Sequence, residues 1–117
     1  MMMILAAAAV ALLVTDGDTF SLDGEKIRIA NIDAPEIHRA QCDAERRLGL
    51  VARRRLAQLL EGGAFEILRG DPETGRKIDR YGRTLATIRR GGRDVGEILI
   101  EDGLARPWAG RRQPWCE

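Results

Sequence analysis

The sequence is poor in aromatic residues, cysteine and histidine. Phe, Trp and Tyr make up only 4% of its 117 residues. The core must therefore rest on Leu, Ile, Val and Ala, and stacking on a ligand can play only a small part. Two cysteines far apart in sequence and the single His38 lack the spacing of a zinc or redox site. The remaining composition, 44% apolar and 32% charged, is typical of one globular domain without a linker and argues against disorder.

The chain also lacks a strong net charge, because 19 basic and 18 acidic residues leave a formal charge of +1. A field over the whole molecule that attracts polyanions is thereby excluded, so any such attraction must be local. The basic residues are nearly all arginines, in clusters at 53–55, 89–93 and 111–112. These clusters are either phosphate-binding surfaces, which the planar guanidinium suits, or solvated faces.

Residues 1–14 contain no charge and are too short an apolar run to span a bilayer comfortably. They are either an export or anchor segment, despite the lack of a preceding basic residue, or a buried first strand with an apolar lead. We favour export, which predicts a secreted, periplasmic or cell-envelope protein. We assign residues 1–10 to this segment and 11–117 to the domain, and expect no stable membrane insertion unless the segment is retained.

Cys42 and Cys116 are either a disulfide pair or two free thiols. A bridge would tie the C-terminus to the segment after the third predicted strand and close a long loop. An exported protein can keep such a bond, so pairing and the apolar N-terminus agree.

Alternating apolar residues and turn residues predict short strands in the first part of the chain. The predicted strands cover 11–15, 19–22 and 26–32, with a hairpin turn at Asp23-Gly24. Ile27 and Ile29 share one face of the third strand, so Arg28 points to the opposite face.

Apolar residues at helical spacing predict a helix from Asp43, its expected N-cap, to Leu60, ended by Gly62-Gly63. Its apolar stripe comprises Leu48, Val51, Ala52, Leu56, Leu59 and Leu60. Strands are predicted at 65–68 and 84–88, and a second helix begins after an N-cap at Asp94 and ends before Gly103. This order predicts an α+β, mainly β fold. The predicted architecture is a five-stranded, partly open barrel of the OB type, with one helix between strands 3 and 4 and a second near the C-terminus.

Four carboxylates are predicted to meet at the end of the first strands. Asp16 and Asp18 are separated from Asp33 and Glu36 by one hairpin, and a cation must offset such crowding. Oxygen ligands suit calcium or magnesium. The alternative for Asp16-Gly17-Asp18 is a tight turn with no metal.

Arg28 and Arg83 would each be read as surface residues if considered alone. Phosphodiester hydrolysis requires cations at the phosphoryl oxygens, a base for water and a metal ion. The sequence offers all three parts.

Three motifs resemble those of the staphylococcal nuclease-like (thermonuclease) family, in the same order. They are Val14-Thr15-Asp16-Gly17-Asp18-Thr19, Arg28-Ile29-Ala30-Asn31-Ile32-Asp33-Ala34-Pro35-Glu36 and Asp79-Arg80-Tyr81-Gly82-Arg83. The resemblance covers residues 11–108. It implies that Arg28 and Arg83 contact the scissile phosphate, that Glu36 is the general base and that Tyr81 lies against the substrate.

The resemblance also implies one calcium ion, held by Asp18, Asp33 and the backbone carbonyl of Ala34, with Asp16 in support nearby. Ala34 replaces a threonine of the founding member, which leaves a carbonyl ligand unaffected. A third C-terminal helix of that protein is not expected here, and the tail 110–116 would replace its packing. Trp108 and Trp115 either pack in the core and tail or stack on bases.

These features predict a monomeric, calcium-dependent endonuclease that cleaves DNA and RNA with little sequence specificity. A non-catalytic nucleic-acid-binding module is the alternative, although it would not need Arg28, Glu36, Arg83, Asp18 and Asp33 together. A structural envelope domain would leave the carboxylate cluster unexplained.

Overall fold

The computed structural model describes residues 11–117, and the predicted N-terminal segment 1–10 lies outside them. Eight strands and two helices follow one another along the described chain. They are β1 (Leu12–Asp16), β2 (Thr19–Leu22), β3 (Glu25–Ile29), β4 (Ile32–Asp33), α1 (Asp43–Glu61), β5 (Glu66–Arg69), β6 (Thr84–Arg90), β7 (Arg93–Asp94), α2 (Val95–Glu101) and β8 (Arg106–Pro107). Neither helix has the length and apolarity that crossing a membrane requires.

The main sheet has the strand order β1-β2-β3-β6-β5, and β7 pairs with β6. All these pairings are antiparallel except β3 with β6. The α+β, mainly β class is confirmed, with α1 between the third and fourth long strands and α2 near the C-terminus. Within residues 11–117 the barrel is not closed, because its edge strands β1 and β5 do not pair.

The predicted third strand, 26–32, is interrupted in the structure. β3 ends at Ile29, and Ala30-Asn31 form a turn before β4 begins a second sheet with β8. The Asn31 side-chain amide donates to Asp94 Oδ1 at 3.1 Å, and the backbone carbonyl of Asn31 accepts from the backbone N–H of Trp108. These bonds redirect the chain, so that Asp33 leaves the main sheet and pairs in register with Arg106.

The N-cap of helix α1 lies one residue before the predicted one. Cys42, not Asp43, is the N-cap: its backbone is extended and its Sγ accepts the N–H of Glu45 at 3.4 Å. The predicted apolar stripe is buried at Ala52, Leu56, Leu59 and Leu60. The assignment of Val51 to that stripe is wrong, because its side chain is 49% exposed.

The core lies between the inner face of the main sheet and the two helices. Its fully buried side chains include Phe20, Ile27 and Ile29 from the hairpin, Leu56 from α1 and Leu99 from α2. Asp94 caps α2 as predicted, accepting the N–H of Glu97 at 2.9 Å. This packing fixes the strand ends from which the polar residues described below project.

Cys42 and Cys116 form a disulfide with a Cα–Cα distance of 6.1 Å, so the paired alternative is the correct one. The bridge joins residues 74 positions apart. Chain entropy alone gives a bridge over such a loop about 4 kcal/mol of stabilisation. Without the bridge, the C-terminal tail can also detach while the rest of the domain stays folded, so the expected loss of stability is smaller than this value.

We therefore expect Cys116→Ser to lower the free energy of unfolding by about 2–4 kcal/mol in urea titrations followed by far-UV circular dichroism. The Cys42→Ser/Cys116→Ser double variant serves as the control, because it should lose little more than the single variant. If the single variant unfolds at the same midpoint urea concentration as the wild type, this expectation is wrong.

Candidate active site

Asp18 is the centre of a polar cluster at the bulged connection between β1 and β2. Its side chain is 2% exposed. Its Oδ1 accepts from Thr19 Oγ1 at 3.0 Å, and its Oδ2 accepts the backbone N–H of Ala34 at 3.0 Å. Asp16 Oδ1 accepts the backbone N–H of Asp18 at 3.2 Å. Asp16-Gly17-Asp18 is thus a tight turn that brings its two carboxylates close together, and the metal ion stays a prediction.

Gly17 allows this turn to lie directly on α1. A Cβ atom there would come within 2.7 Å of the Ala52 side chain and 2.9 Å of the Ala34 side chain. Any larger residue would push Asp16 and Asp18 away from the loop that carries Asp33. Glycine at this position is therefore what lets the two acidic segments approach each other.

Arg28 lies on the face of β3 opposite Ile27, as predicted, but that face is covered and the side chain is buried. Its Nη1 donates to the carbonyls of Ile29 and Ile32, the latter at 2.8 Å. Its Nη2 lies 3.6 Å from Asp18 Oδ2, and the Trp108 ring centroid lies 5.4 Å from its guanidinium carbon. Trp108 thus packs on Arg28, and whether it also stacks on a base stays open.

Arg83 reaches the same cluster from the turn that precedes β6. Asp79 folds the 79–83 turn by accepting the N–H groups of Tyr81 and Arg83 at 2.9 Å each, and its Oδ2 accepts Arg83 Nε at 2.7 Å. Arg83 Nη1 then donates to Thr19 Oγ1 at 3.4 Å, and Thr19 donates to Asp18. Burial acts to raise the pKa of Asp79, but the bonds from Arg83 and Tyr81 hold it below its usual value. Asp79 therefore stays charged and fixes Arg83, a role that the sequence did not indicate.

Tyr81 lies beside Arg83 with its ring exposed to solvent. The side chain is 64% exposed, its ring centroid is 5.4 Å from the Arg83 guanidinium carbon, and its hydroxyl accepts from Arg80 at 2.7 Å. An exposed ring next to a candidate phosphate-binding arginine fits the predicted substrate contact. The contact itself remains a prediction.

The loop with Asp33, Ala34 and Glu36 is held against α1 by a buried glutamate that sequence reasoning missed. Glu45 is 5% exposed and accepts the backbone N–H of Glu36 at 2.9 Å and that of Gln41 at 2.9 Å. The sequence contains a signal for this burial: Glu45 lies four residues before Gly49 and seven before Ala52, and therefore on the buried face of α1. An acid on an apolar helix face needs buried partners.

Charges within the cluster shift the acidity of its carboxyls. Burial, and then the charge of Asp18, raise the pKa of Asp16 to about 8. Burial also acts to raise the pKa of Asp18, but the Arg28 guanidinium and hydrogen bonds from Asp16 and Ala34 hold it below its usual value. Burial raises the pKa of Asp33 despite the opposing charge of Arg112. One charged aspartate thus lies among neighbours that resist ionisation.

Arg112 from the C-terminal tail inserts into this cluster, which the sequence did not predict. Its Nη2 lies 2.6 Å from Glu36 Oε1 and 3.8 Å from Asp18 Oδ2, and its Nη1 lies 3.2 Å from Asp33 Oδ1. Arg106, Arg111, Gln113 and Pro114 line a cleft of about 560 Å³ with it. The cysteine pairing could have placed the tail near residue 42, but nothing in the sequence distinguishes Arg112 from Arg111.

The oxygen atoms of this cluster are of the type that a hard divalent cation prefers as ligands. Asp18 and Asp33 face one guanidinium and therefore a common point. Among residues 11–117, Asp33 has an ion pair with Arg112, but neither of its buried carboxylate oxygens accepts a hydrogen bond. In the part of the chain that the structure describes, no three His, Cys, Asp or Glu side chains form a group that could hold a metal ion. Two carboxylates would thus need a further oxygen, such as the Ala34 carbonyl, whose role stays a prediction.

Comparison with known proteins connects the chain to nucleases. The family model described as staphylococcal nuclease homologue matches residues 26–114. The chain is 32% identical over 111 residues to the micrococcal nuclease of Shigella flexneri, covering 84% of this chain and 55% of that protein. It is 32% identical over 95 residues to endonuclease YncB of Bacillus subtilis (strain 168), covering 78% of this chain and 43% of that protein. The SPbeta prophage-derived endonuclease YokF of the same strain is 30% identical over 95 residues, with 78% and 31% covered. The chain thus spans about half or less of each of these relatives.

Proposed function

The chain belongs to the staphylococcal nuclease family, and we propose that it is a calcium-dependent endonuclease that hydrolyses phosphodiester bonds of DNA and RNA with low sequence specificity. One observation carries the proposal: Arg28 from β3 and Arg83 from the turn before β6 both connect to Asp18 beside Glu36. Arg28 pairs with Asp18 directly and Arg83 connects to it through Thr19. A non-catalytic module has no need of this convergence.

The two arginines stabilise charge on the phosphoryl oxygens as the transition state forms. Each is held before substrate arrives, Arg28 by backbone carbonyls and Arg83 by Asp79. Such preorganised donors gain more in a transition state than flexible ones, because no reorganisation is needed during the reaction. The exposed Tyr81 ring extends the surface next to Arg83 on which the nucleotide lies.

Glu36 is the general base. Its carboxylate is partly exposed, with 22% of the side chain accessible, and its backbone is fixed by Glu45. It takes a proton from water as the water oxygen bonds to phosphorus and the bond to the leaving oxygen breaks. Asp18, Asp33 and the Ala34 carbonyl would hold the calcium ion, with Asp16 in support. When bound, the ion neutralises negative charge on the phosphoryl group.

The proposal predicts that the purified protein cleaves both plasmid DNA and single-stranded RNA in millimolar calcium, and that excess chelator abolishes both activities. Cleavage is followed on gels, and restoring calcium after chelation should restore it. Equal cleavage with and without chelator would remove calcium from the proposal. Binding of nucleic acid without any cleavage would favour the non-catalytic OB-fold module instead.

We also propose that residues 11–117 form one monomeric domain that works in an oxidising compartment, either secreted or in the periplasm or cell envelope. The disulfide supports this location, since such bonds are rare in the cytosol. Light scattering coupled to gel filtration tests the monomer, and fractionation of expressing cells tests the location.

A further inference from the structure

The guanidinium of Arg112 interacts with three acids of the proposed active site. Asp18 and Asp33 are the proposed calcium ligands, and Glu36 is the proposed base. The side chains of Asp18 and Asp33 are 2% and 3% exposed, and Arg112 pairs with both as well as with Glu36. This one cationic side chain therefore neutralises the acids that a divalent cation would have to bind.

The guanidinium and a metal ion compete for these oxygens. Arg112 Nη1 lies 3.2 Å from Asp33 Oδ1, and calcium binds carboxylate oxygens at about 2.3–2.6 Å. Both cations would then lie within a few ångströms of each other in a poorly solvated site, where like charges repel strongly. Binding of one therefore weakens binding of the other.

The tail that carries Arg112 is fixed on both sides of it. Before Arg112, β8 pairs with β4, the strand of Asp33. After it, Cys116 is bonded to Cys42, and Arg106 stacks on Trp115 with its guanidinium carbon 3.8 Å from the ring centroid. A group tethered in this way has a high effective concentration at its partners. Arg112 is therefore a persistent competitor rather than a chance contact.

The side chain also has a place to go when it is displaced. It is 42% exposed and borders the open cleft of about 560 Å³ that Arg106 and Arg111 line. Rotation into this cleft would hydrate the guanidinium without moving the disulfide. The exchange with a metal ion therefore requires a change of side-chain conformation and no unfolding of the tail.

We propose that Arg112 is a built-in competitor of the calcium ion, which neutralises the site in the metal-free protein and sets its metal affinity. This inference rests on the proposed calcium site. Removing the guanidinium makes the net charge around Asp18, Asp33 and Glu36 more negative, and calcium then has no competing cation to displace. The Arg112→Gln variant should therefore bind calcium about tenfold more tightly or better, the factor expected for a charge-assisted bond.

The test is calorimetric titration of the full chain with calcium chloride, comparing wild type, Arg112→Gln and Arg111→Gln. Arg111 is the matched control, because it adjoins Arg112 but forms no ion pair within residues 11–117. We expect tighter binding for Arg112→Gln and wild-type affinity for Arg111→Gln. Melting curves give a second readout: Arg112→Gln should melt lower than wild type without calcium and show the larger calcium-induced rise in Tm.

Equal or weaker calcium binding by Arg112→Gln would overturn the inference, as would absence of binding by both proteins. If Arg112→Gln does not fold, Arg112→Lys keeps the charge but loses the planar fork, and it should bind calcium more tightly than wild type. Cys116→Ser frees the tail and should change the affinity in the same direction. Calcium-dependent cleavage with unchanged affinity in these variants would refute only this inference. Absence of cleavage in calcium would refute the proposed function, whatever the titrations give.

Discussion

Replacement of Glu36 by glutamine is expected to lower kcat for DNA cleavage in calcium by about 10²–10⁴-fold, the usual contribution of a general base. The amide keeps the shape of the side chain and leaves the backbone N–H of Glu36 bonded to Glu45. It cannot accept a proton from water. The change should therefore appear in kcat and not in KM, measured at saturating calcium on an oligonucleotide labelled at one end.

Glu61→Gln is the matched control, because Glu61 is an exposed glutamate at the last position of α1. It should keep wild-type kcat. The glutamine at position 36 also removes the ion pair with Arg112, so calcium affinity must be measured in the same variant and saturation confirmed. A kcat within threefold of wild type at saturating calcium would show that Glu36 is not the base.

Replacement of Arg28 by methionine is expected to lower the free energy of unfolding by about 3–5 kcal/mol. Arg28 and Asp18 are a buried pair, and removing one partner leaves an uncompensated charge in a poorly solvated position. The carbonyl of Ile32 loses its donor as well. Urea unfolding in chelator, followed by circular dichroism, measures the loss without any contribution from calcium.

Two further variants separate the pair from the packing. In Arg28→Met/Asp18→Asn the buried charge is gone, so part of the lost stability should return. Arg93→Met removes an exposed arginine that pairs with Glu101, and such surface pairs contribute about 0–1 kcal/mol. If Arg28→Met unfolds no more easily than Arg93→Met, the interaction between Arg28 and Asp18 does not stabilise the fold.

Periodicity was sufficient to predict the class of fold and both helices, because these depend on which residues face the core. It failed where a distant partner determines the local geometry. The strand predicted at 26–32 is interrupted because Asn31 bonds to Asp94 and Trp108, which are far away in sequence. Cys42 caps α1 in place of Asp43 in a segment held by the bridge to Cys116, again a tertiary constraint.

The candidate site likewise contains residues that the sequence predicts and residues that it does not. Hairpin spacing predicts that Asp16 and Asp18 approach Asp33 and Glu36, and the structure brings them together. The supporting residues could not be predicted in this way. Asp79 acts through a turn, Glu45 through the buried face of a helix and Arg112 through the path of the tail.

The close contact between α1 and the Glu36 loop has a consequence for how the helix can evolve. Gly49 lies in the middle of α1, where alanine normally stabilises a helix by about 1 kcal/mol relative to glycine. A Cβ atom at Gly49 would lie 2.7 Å from the Glu36 carbonyl oxygen and 2.9 Å from that of Pro35. A substitution that improves the helix would thus displace the loop that carries the proposed base. Because both contacts are with backbone atoms, this clash outweighs the gain in helix propensity, so Gly49 is favoured both by the stability of the packed fold and by the placement of the Glu36 loop.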